Sequence, residues 1–129
     1  MVARPVGAGA RLRQVREDGR MKQAELLALI RGMPECEQSS HFGTMDFRVR
    51  NKIFCSFSRP GEMVLKLMPE QQEMLVGTEG QTFRPISGSW GKRGWTTAVI
   101  SRLDEPTARS ALVMAWANVA PRSLRGEHS

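Results

Sequence analysis

The sequence has few of the residues from which metal centres, disulfide frameworks and membrane spans are built. Only two cysteines, Cys36 and Cys55, and two histidines occur in 129 residues, and there is no CxxC pair. A zinc site therefore lacks ligands at any usual spacing. No apolar run approaches the roughly 18 residues that cross a bilayer, and the start of the chain lacks the apolar stretch of a secretory signal. We expect a cytoplasmic protein with no metal, no cofactor and no membrane attachment.

Catalytic signatures are equally scarce. The sequence contains neither the GxSxG of a nucleophile elbow nor the GK[ST] of a phosphate loop. His41 could pair with Glu35, Glu37 or Cys36 as base and nucleophile if a loop brought the side chains together, but a structural histidine near the first strand is the simpler interpretation. Reduced thiols are expected at both cysteines, and a disulfide between Cys36 and Cys55 stays open. We predict that the protein is not an enzyme.

The positive charge is unevenly distributed along the chain. The formal net charge is +6 at pH 7, and residues 1–20 hold five arginines against Glu17 and Asp18. This Gly/Ala/Arg-rich segment has no sustained periodicity, so we interpret it as a disordered basic extension or as the product of a start codon upstream of Met21. A basic arm that adds phosphate contacts is the functional alternative. We expect a single domain over residues 21–121, followed by a short tail, 122–129.

The spacing of apolar residues predicts an α+β domain. Leu26 and Ile30 recur at helical spacing, a polar connection follows from Pro34 to His41, and alternating apolar residues then predict two strands joined by a tight turn at Asn51. The remaining predicted elements are a strand over 63–67, a helix from Pro69 to near Gly77, strands over 82–86 and 95–100, and a last helix capped by Asp104 and ended by Pro121. The order α-β-β-β-α-β-β-α indicates one antiparallel sheet with helices packed on one face.

The stretch RPISGSWGKRGWTT, residues 84–97, is the most distinctive part of the chain. Its glycines at every third position permit positive φ angles or a close approach of two backbones. We predict a hairpin connection with Lys92 and Arg93 at its tip. The loop anchors are expected to be Gly88, Trp90, Gly91, Gly94 and Trp95. The tryptophans could instead stack on a flat ligand.

Four strings resemble the MmcQ/YjbR-like family of small bacterial proteins. They are HFGTMDFRVRNKIFCSFS (41–58), LKLMPEQQ (65–72), PISGSWGKRGWT (85–96) and AWANVAP (115–121). The resemblance runs from about Met21 to Pro121 and implies the same α+β order, in a fold related to type III secretion chaperones. The family is commonly described as DNA-binding with a double-wing motif, and the resemblance implies no activity, cofactor or catalytic residue. Met68 departs from the family pattern, which places a small polar cap before the proline.

The leading functional hypothesis is a DNA-binding module that contacts phosphates through two basic hairpin tips. Arg48, Arg50 and Lys52 lie in or beside the first predicted turn, and Lys92 and Arg93 lie in the glycine-rich connection. No helix rich in Arg, Asn or Gln is apparent, so binding without sequence preference is expected. The same charges could instead mark a solvated face.

Two other functional classes stay open. The secretion-chaperone-like fold that the resemblance implies would suit an adaptor that binds another protein, although this rests on fold analogy. A small-molecule-binding protein with a site near His41 would need a concave pocket with convergent polar groups.

Overall fold

The computed structural model describes residues 19–125, and the expectations for residues 1–18 and 126–129 lie outside that part. Its elements are, in chain order, α1 (Gln23–Arg31), β1 (Glu37–His41), β2 (Thr44–Val49), β3 (Lys52–Phe57), β4 (Glu62–Lys66), α2 (Pro69–Thr78), β5 (Phe83–Pro85), α3 (Ser89–Lys92), β6 (Trp95–Val99) and α4 (Glu105–Val119). A 3₁₀ turn, Ile100–Arg102, links β6 to α4.

The strands form one six-stranded sheet in the order β1-β2-β3-β4-β6-β5, and each neighbouring pair is antiparallel. Four successive cross-strand partners are fully buried on one face: Phe47, Cys55, Leu65 and Thr96. Helix α4 packs on β3 and β4, and α2 packs on β5. The predicted α+β class, with a single antiparallel sheet and helices on one face, is confirmed.

Two elements differ from the sequence-based prediction. The polar connection expected from Pro34 to His41 is wrong in its second half, because Glu37–His41 forms the edge strand β1, paired with β2. Its sequence, EQSSH, has no apolar alternation, since backbone hydrogen bonds to β2 hold such an edge strand without a buried side-chain face. The short helix α3 lies within the glycine-rich connection that was expected to be a loop.

A bulge in β3 sets which side chains reach each face. Phe47 pairs with Cys55, whereas the next residue, Arg48, pairs with Ile53, so Phe54 is the extra residue. Both Phe54 and Cys55 are fully buried. A bulge of this kind places two successive side chains on the same face and increases the local twist. Arg48 therefore lies on the opposite face from the core.

That opposite face carries a row of mainly polar residues. Ser56, Val64, Thr97 and Arg84 are successive partners across β3, β4, β6 and β5. We call it the open face, because the helices that pack on the sheet lie on the side of Thr96, where the Gln72 side chain of α2 contacts the Thr96 hydroxyl at 3.0 Å. Helices α2 and α4 therefore leave this surface of the sheet uncovered within residues 19–125.

The helix starts follow two different capping arrangements. Asp104 Oδ1 accepts a hydrogen bond from the Thr107 backbone N–H at 2.9 Å, as expected for the cap of α4. Met68 precedes α2 and lacks an oxygen for this purpose. There the side-chain oxygen of Gln71 accepts from the Met68 backbone N–H at 2.8 Å, so the third helical residue supplies the bond.

Candidate nucleic-acid interface

The first hairpin tip consists of Arg50 and Asn51, between β2 and β3. Their φ angles are 50° and 70°, and the flanking residues Val49 and Lys52 are paired. Positive φ at both central residues is the geometry of a type I′ turn, which asparagine tolerates better than most residues. The turn therefore sets the positions of Arg48, Arg50 and Lys52 at this end of the sheet.

The second hairpin tip is the segment 86–94 between β5 and β6, and two of its glycines are required by sterics. A Cβ on Gly91 would lie 1.6 Å from the carbonyl oxygen of Ile86, and one on Gly94 would lie 1.9 Å from that of Leu67. Gly94 also has φ +110°, in the region that favours glycine. The first contact folds the tip back on its own start, and the second holds the end of the tip against the residue that follows β4.

The side chain of Gln72 in α2 holds the second tip from the helix-covered side of the sheet. Its side-chain nitrogen lies 3.0 Å from the Gly91 carbonyl, 3.1 Å from the Trp95 carbonyl and 3.0 Å from the Thr96 hydroxyl. The Thr96 hydroxyl donates in turn to the Gly94 carbonyl at 2.8 Å. Nothing in the local sequence pattern marks Gln72 for this position, because its three contacts come from a segment about twenty residues further along the chain.

The two tryptophans of the tip have different environments. Trp95 is half-buried, whereas Trp90 is 56% exposed, and their rings meet edge to face with centroids 6.0 Å apart. The Arg93 guanidinium lies 5.3 Å from the Trp90 ring centroid, and Lys66 Nζ lies 5.4 Å from that of Trp95. Both distances suit cation–π contacts. The glycine contacts and Gln72, more than Trp90, hold the tip in place.

Both tips lie at the same end of the sheet. The first follows β2, while Lys66 of β4 pairs with Trp95 of β6 at the base of the second tip. Three strand spacings separate the centres of the two hairpins in the strand order, which corresponds to about 14 Å. We call this end, with Lys52, Lys66, Lys92 and Arg93, the tip end of the sheet. The turn between β3 and β4 lies at the other end.

Two of the five predicted cations are held by carboxylates. Arg48 Nε lies 2.9 Å from Asp46 Oδ1, and Arg50 makes a two-pronged contact with Glu35 at 2.6 and 3.1 Å. The hydrogen bond from Arg50 lowers the pKa of Glu35, and the hydrogen bond to Asp46 raises the pKa of Arg48. Each arginine is therefore locally neutralised, and neither adds a free charge to the first tip.

The other predicted cations have no carboxylate partner in the part of the chain that the structure describes. Lys52, Lys92 and Arg93 are all exposed. Lys66 joins them at the tip end, although the sequence analysis did not include it among the site residues. The signal was present: Lys66 alternates with the buried Met63 and Leu65, which puts it on the open face at the last residue of its strand.

Other expectations concern thiols, metals and membranes. Cys36 and Cys55 are free thiols, and burial raises the pKa of each, most strongly that of Cys55. Within residues 19–125, no three His, Cys, Asp or Glu side chains are grouped to hold a metal ion. In the same part of the chain, no helix combines the length and apolar character needed to cross a bilayer. The side chain of His41 lies outside the described residues.

Comparisons with known proteins place this fold among relatives. The family model described as YjbR matches residues 31–118. The solved structure of Deinococcus radiodurans protein DR2400, described with the domain DUF419, has a similar fold with a TM-score of 0.62 at 17% identity, over 82% of this chain and 86% of that one. Among curated proteins, none matches the chain. Since the family model covers most of the sequence, from the end of α1 to near the end of α4, the chain belongs to the YjbR family.

Proposed function

We propose that this protein binds nucleic acid weakly and without sequence preference, through phosphate contacts at the tip end of the sheet. One observation carries the proposal: two hairpin tips share one end of the sheet, and four cations there lack carboxylate partners within residues 19–125, namely Lys52, Lys66, Lys92 and Arg93. Unpaired cations grouped in this way attract a polyanion and release its condensed counterions on contact.

The paired arginines change the expected strength of binding. Arg48 and Arg50 would have to leave Asp46 and Glu35 before contacting a phosphate. Four phosphate contacts by the unpaired cations would give a log–log salt slope of roughly −3 to −4. A fifth or sixth contact would add to this slope only by opening an existing ion pair.

Binding, not catalysis or base reading, is the expected activity. The helix within the second tip, α3, has only four residues, and its side chains Ser89, Trp90 and Lys92 do not form the Arg/Asn/Gln-rich surface that reads base edges. Contacts to the phosphate backbone position a protein but carry no sequence information. The free thiols of Cys36 and Cys55 support a reducing compartment such as the cytoplasm.

The test is a fluorescence-polarisation titration of a mixed-sequence DNA duplex at low salt. Lys92→Ala/Arg93→Ala should weaken binding clearly, because two of four contacts are lost. The matched control is Arg102→Gln/Arg109→Gln, which removes the same charge beyond the other end of β6. Equal weakening by the two double variants would show that only net charge matters, and would contradict the proposed site.

A variant of opposite sign sharpens this test. Glu70 is exposed in the first turn of α2, which begins just after β4 at the tip end. A carboxylate there repels an approaching phosphate, so Glu70→Gln should strengthen binding and steepen its salt dependence. Glu73→Gln, one turn further along α2, is the control and should have a smaller effect. Weaker binding by Glu70→Gln would argue against DNA at this end.

A second candidate, the protein-interaction adaptor, is favoured by one feature at the other end of the sheet. Phe42, in the turn between β1 and β2, is fully exposed and has φ +50°. A large aromatic residue in this strained conformation suits a contact with another protein surface. Sedimentation velocity over a range of concentrations tests self-association of this kind, which Phe42→Ser should abolish. The alternative of a site near His41 stays a prediction.

A further inference from the structure

A groove crosses the open face from the turn after β3 to Ile86 and Ser87, the first residues of the second tip, and its lining does not include the four cations of the tip end. Its floor is the strand sequence β4-β6-β5, one wall is the turn after β3, and the other wall is the chain that follows β5. The cavity is about 380 Å³, within the range of small-ligand sites. Its polar lining residues are Ser58, Arg59, Glu62, Arg84, Ser87 and Thr97. We call this the open-face groove.

The two charged residues on the floor hold each other across the middle strand. Glu62 of β4 pairs with Val99, Arg84 of β5 pairs with Thr97, and the Arg84 Nη2 to Glu62 Oε2 distance is 2.5 Å. This ion pair spans β6 and fixes the direction of the guanidinium. The remaining N–H groups of Arg84 stay available for a ligand, because a guanidinium has five donors.

The walls, together with Thr97 on the floor, contribute donors that have no other partner in the part of the chain that the structure describes. Arg59 is exposed and has no carboxylate partner within residues 19–125. The hydroxyls of Ser58, Ser87 and Thr97 likewise make no side-chain hydrogen bond in that part of the chain. Two arginines against one glutamate leave the groove one positive charge in excess. Convergent unpaired donors with surplus positive charge are suited to a phosphate or carboxylate group.

The size and lining of the groove narrow the ligand class further. Val64, Pro85 and Ile86 supply apolar surface between the polar groups. The carboxylate oxygens of Glu62 have lone pairs beyond the one that Arg84 contacts, so they can accept a hydrogen bond from a ligand hydroxyl. We infer that the open-face groove binds a small phosphate monoester with a hydroxylated body, its phosphate on Arg59 and the wall hydroxyls and its body over the Arg84–Glu62 pair. The groove adjoins the second tip at Ile86 and Ser87, but Lys52, Lys66, Lys92 and Arg93 do not line it, so the inference does not depend on the proposed nucleic-acid binding.

The test is a titration of the ¹⁵N-labelled full chain with ribose 5-phosphate, followed by amide chemical shifts. Saturable shifts are expected at Arg59, Arg84 and Thr97, and ribose without phosphate should produce none. Arg59→Ala should weaken binding about tenfold or more, since it removes a charge-assisted hydrogen bond. Lys92→Ala/Arg93→Ala should bind as the wild type does. The dispersion of each spectrum reports whether the variant is folded.

Several results would overturn the inference. They are the absence of saturable shifts, an unchanged affinity in Arg59→Ala, or shifts centred on Lys92 and Arg93. Inorganic phosphate that binds as tightly as ribose 5-phosphate would reduce the groove to an anion site and reject the organic ligand. Displacement of ribose 5-phosphate by a DNA duplex in the wild type but not in Lys92→Ala/Arg93→Ala would assign the groove to the nucleic-acid surface and also contradict the inference.

Discussion

The substitution Gly91→Ala tests how the second tip is built. The added Cβ would lie 1.6 Å from the Ile86 carbonyl oxygen and 2.8 Å from its carbon, whereas real Cβ atoms essentially never approach within 3.0 Å. Neither side can yield freely. The Gly91 carbonyl accepts from Gln72 at 3.0 Å, and the Ile86 N–H donates to the Trp95 carbonyl at 3.1 Å.

The expected loss of stability follows from these contacts. Forcing an extra group into a packed site costs about 1–3 kcal/mol, and losing one of the hydrogen bonds that hold the tip costs about 1 kcal/mol more. We therefore expect Gly91→Ala to lower the free energy of unfolding by about 2–4 kcal/mol. If the tip detaches instead, the emission of Trp90 and Trp95 should change while the global loss is smaller.

The assay is urea unfolding followed by circular dichroism, with tryptophan emission recorded in parallel. Gly77→Ala is the matched control, because a Cβ there meets nothing within 4 Å and the residue lies inside α2. That change should raise the free energy of unfolding by about 0.5–1 kcal/mol, the usual gain for alanine over glycine in a helix. A Gly91→Ala protein with wild-type stability and unchanged emission would refute the close approach of the two backbones.

Three further predictions concern a helix cap, the half-buried amide of Gln72 and the thiols. Asp104→Ala should lower the free energy of unfolding by about 1 kcal/mol at neutral pH. Hydrogen bonds from Thr107 lower the pKa of Asp104. The stabilisation by this cap is therefore present above the unfolded pKa of about 3.9 and is lost as the pH falls through the lower folded pKa. Urea unfolding at neutral pH and in acid should show that the difference in stability between wild type and variant shrinks in acid. Gln72→Leu should lower the free energy of unfolding by about 1–3 kcal/mol in the same assay, because it leaves the carbonyl acceptors of the second tip without their donor. Ellman's reagent should modify the half-buried Cys36 first, and Cys55, whose pKa burial raises strongly, only as the protein unfolds. Equal rates at the two thiols would contradict that order.

Local sequence signals predicted the elements that depend on side-chain periodicity and on caps. Asn51 marks a real two-residue turn, and Asp104 caps the last helix, because both act within a few residues of themselves. Strand β1 could not be found in this way. Its polar side chains follow no period, and its position depends on the free edge of β2, which only the assembled sheet provides.

The sequence could not show which cations are paired with carboxylates in the folded protein. Arg50 and Lys52 are two residues apart and look alike in the pattern, yet one is held by Glu35, fifteen residues away, and the other is unpaired. Such pairing depends on which loops meet after folding. The open-face groove is a stronger case, since Arg59 precedes β4 whereas Arg84 and Ser87 lie in β5 and just after it, and only the β4-β6-β5 order brings the two segments together.

The salt dependence of duplex DNA binding tests the central claim most directly. Polarisation titrations at several salt concentrations should give a log–log slope of roughly −3 to −4 for the wild type. The slope should be nearly two units shallower for Lys92→Ala/Arg93→Ala, since each lost phosphate contact removes about 0.9. A wild-type slope near zero, or a slope that the double variant leaves unchanged, would contradict phosphate binding at the tip end of the sheet.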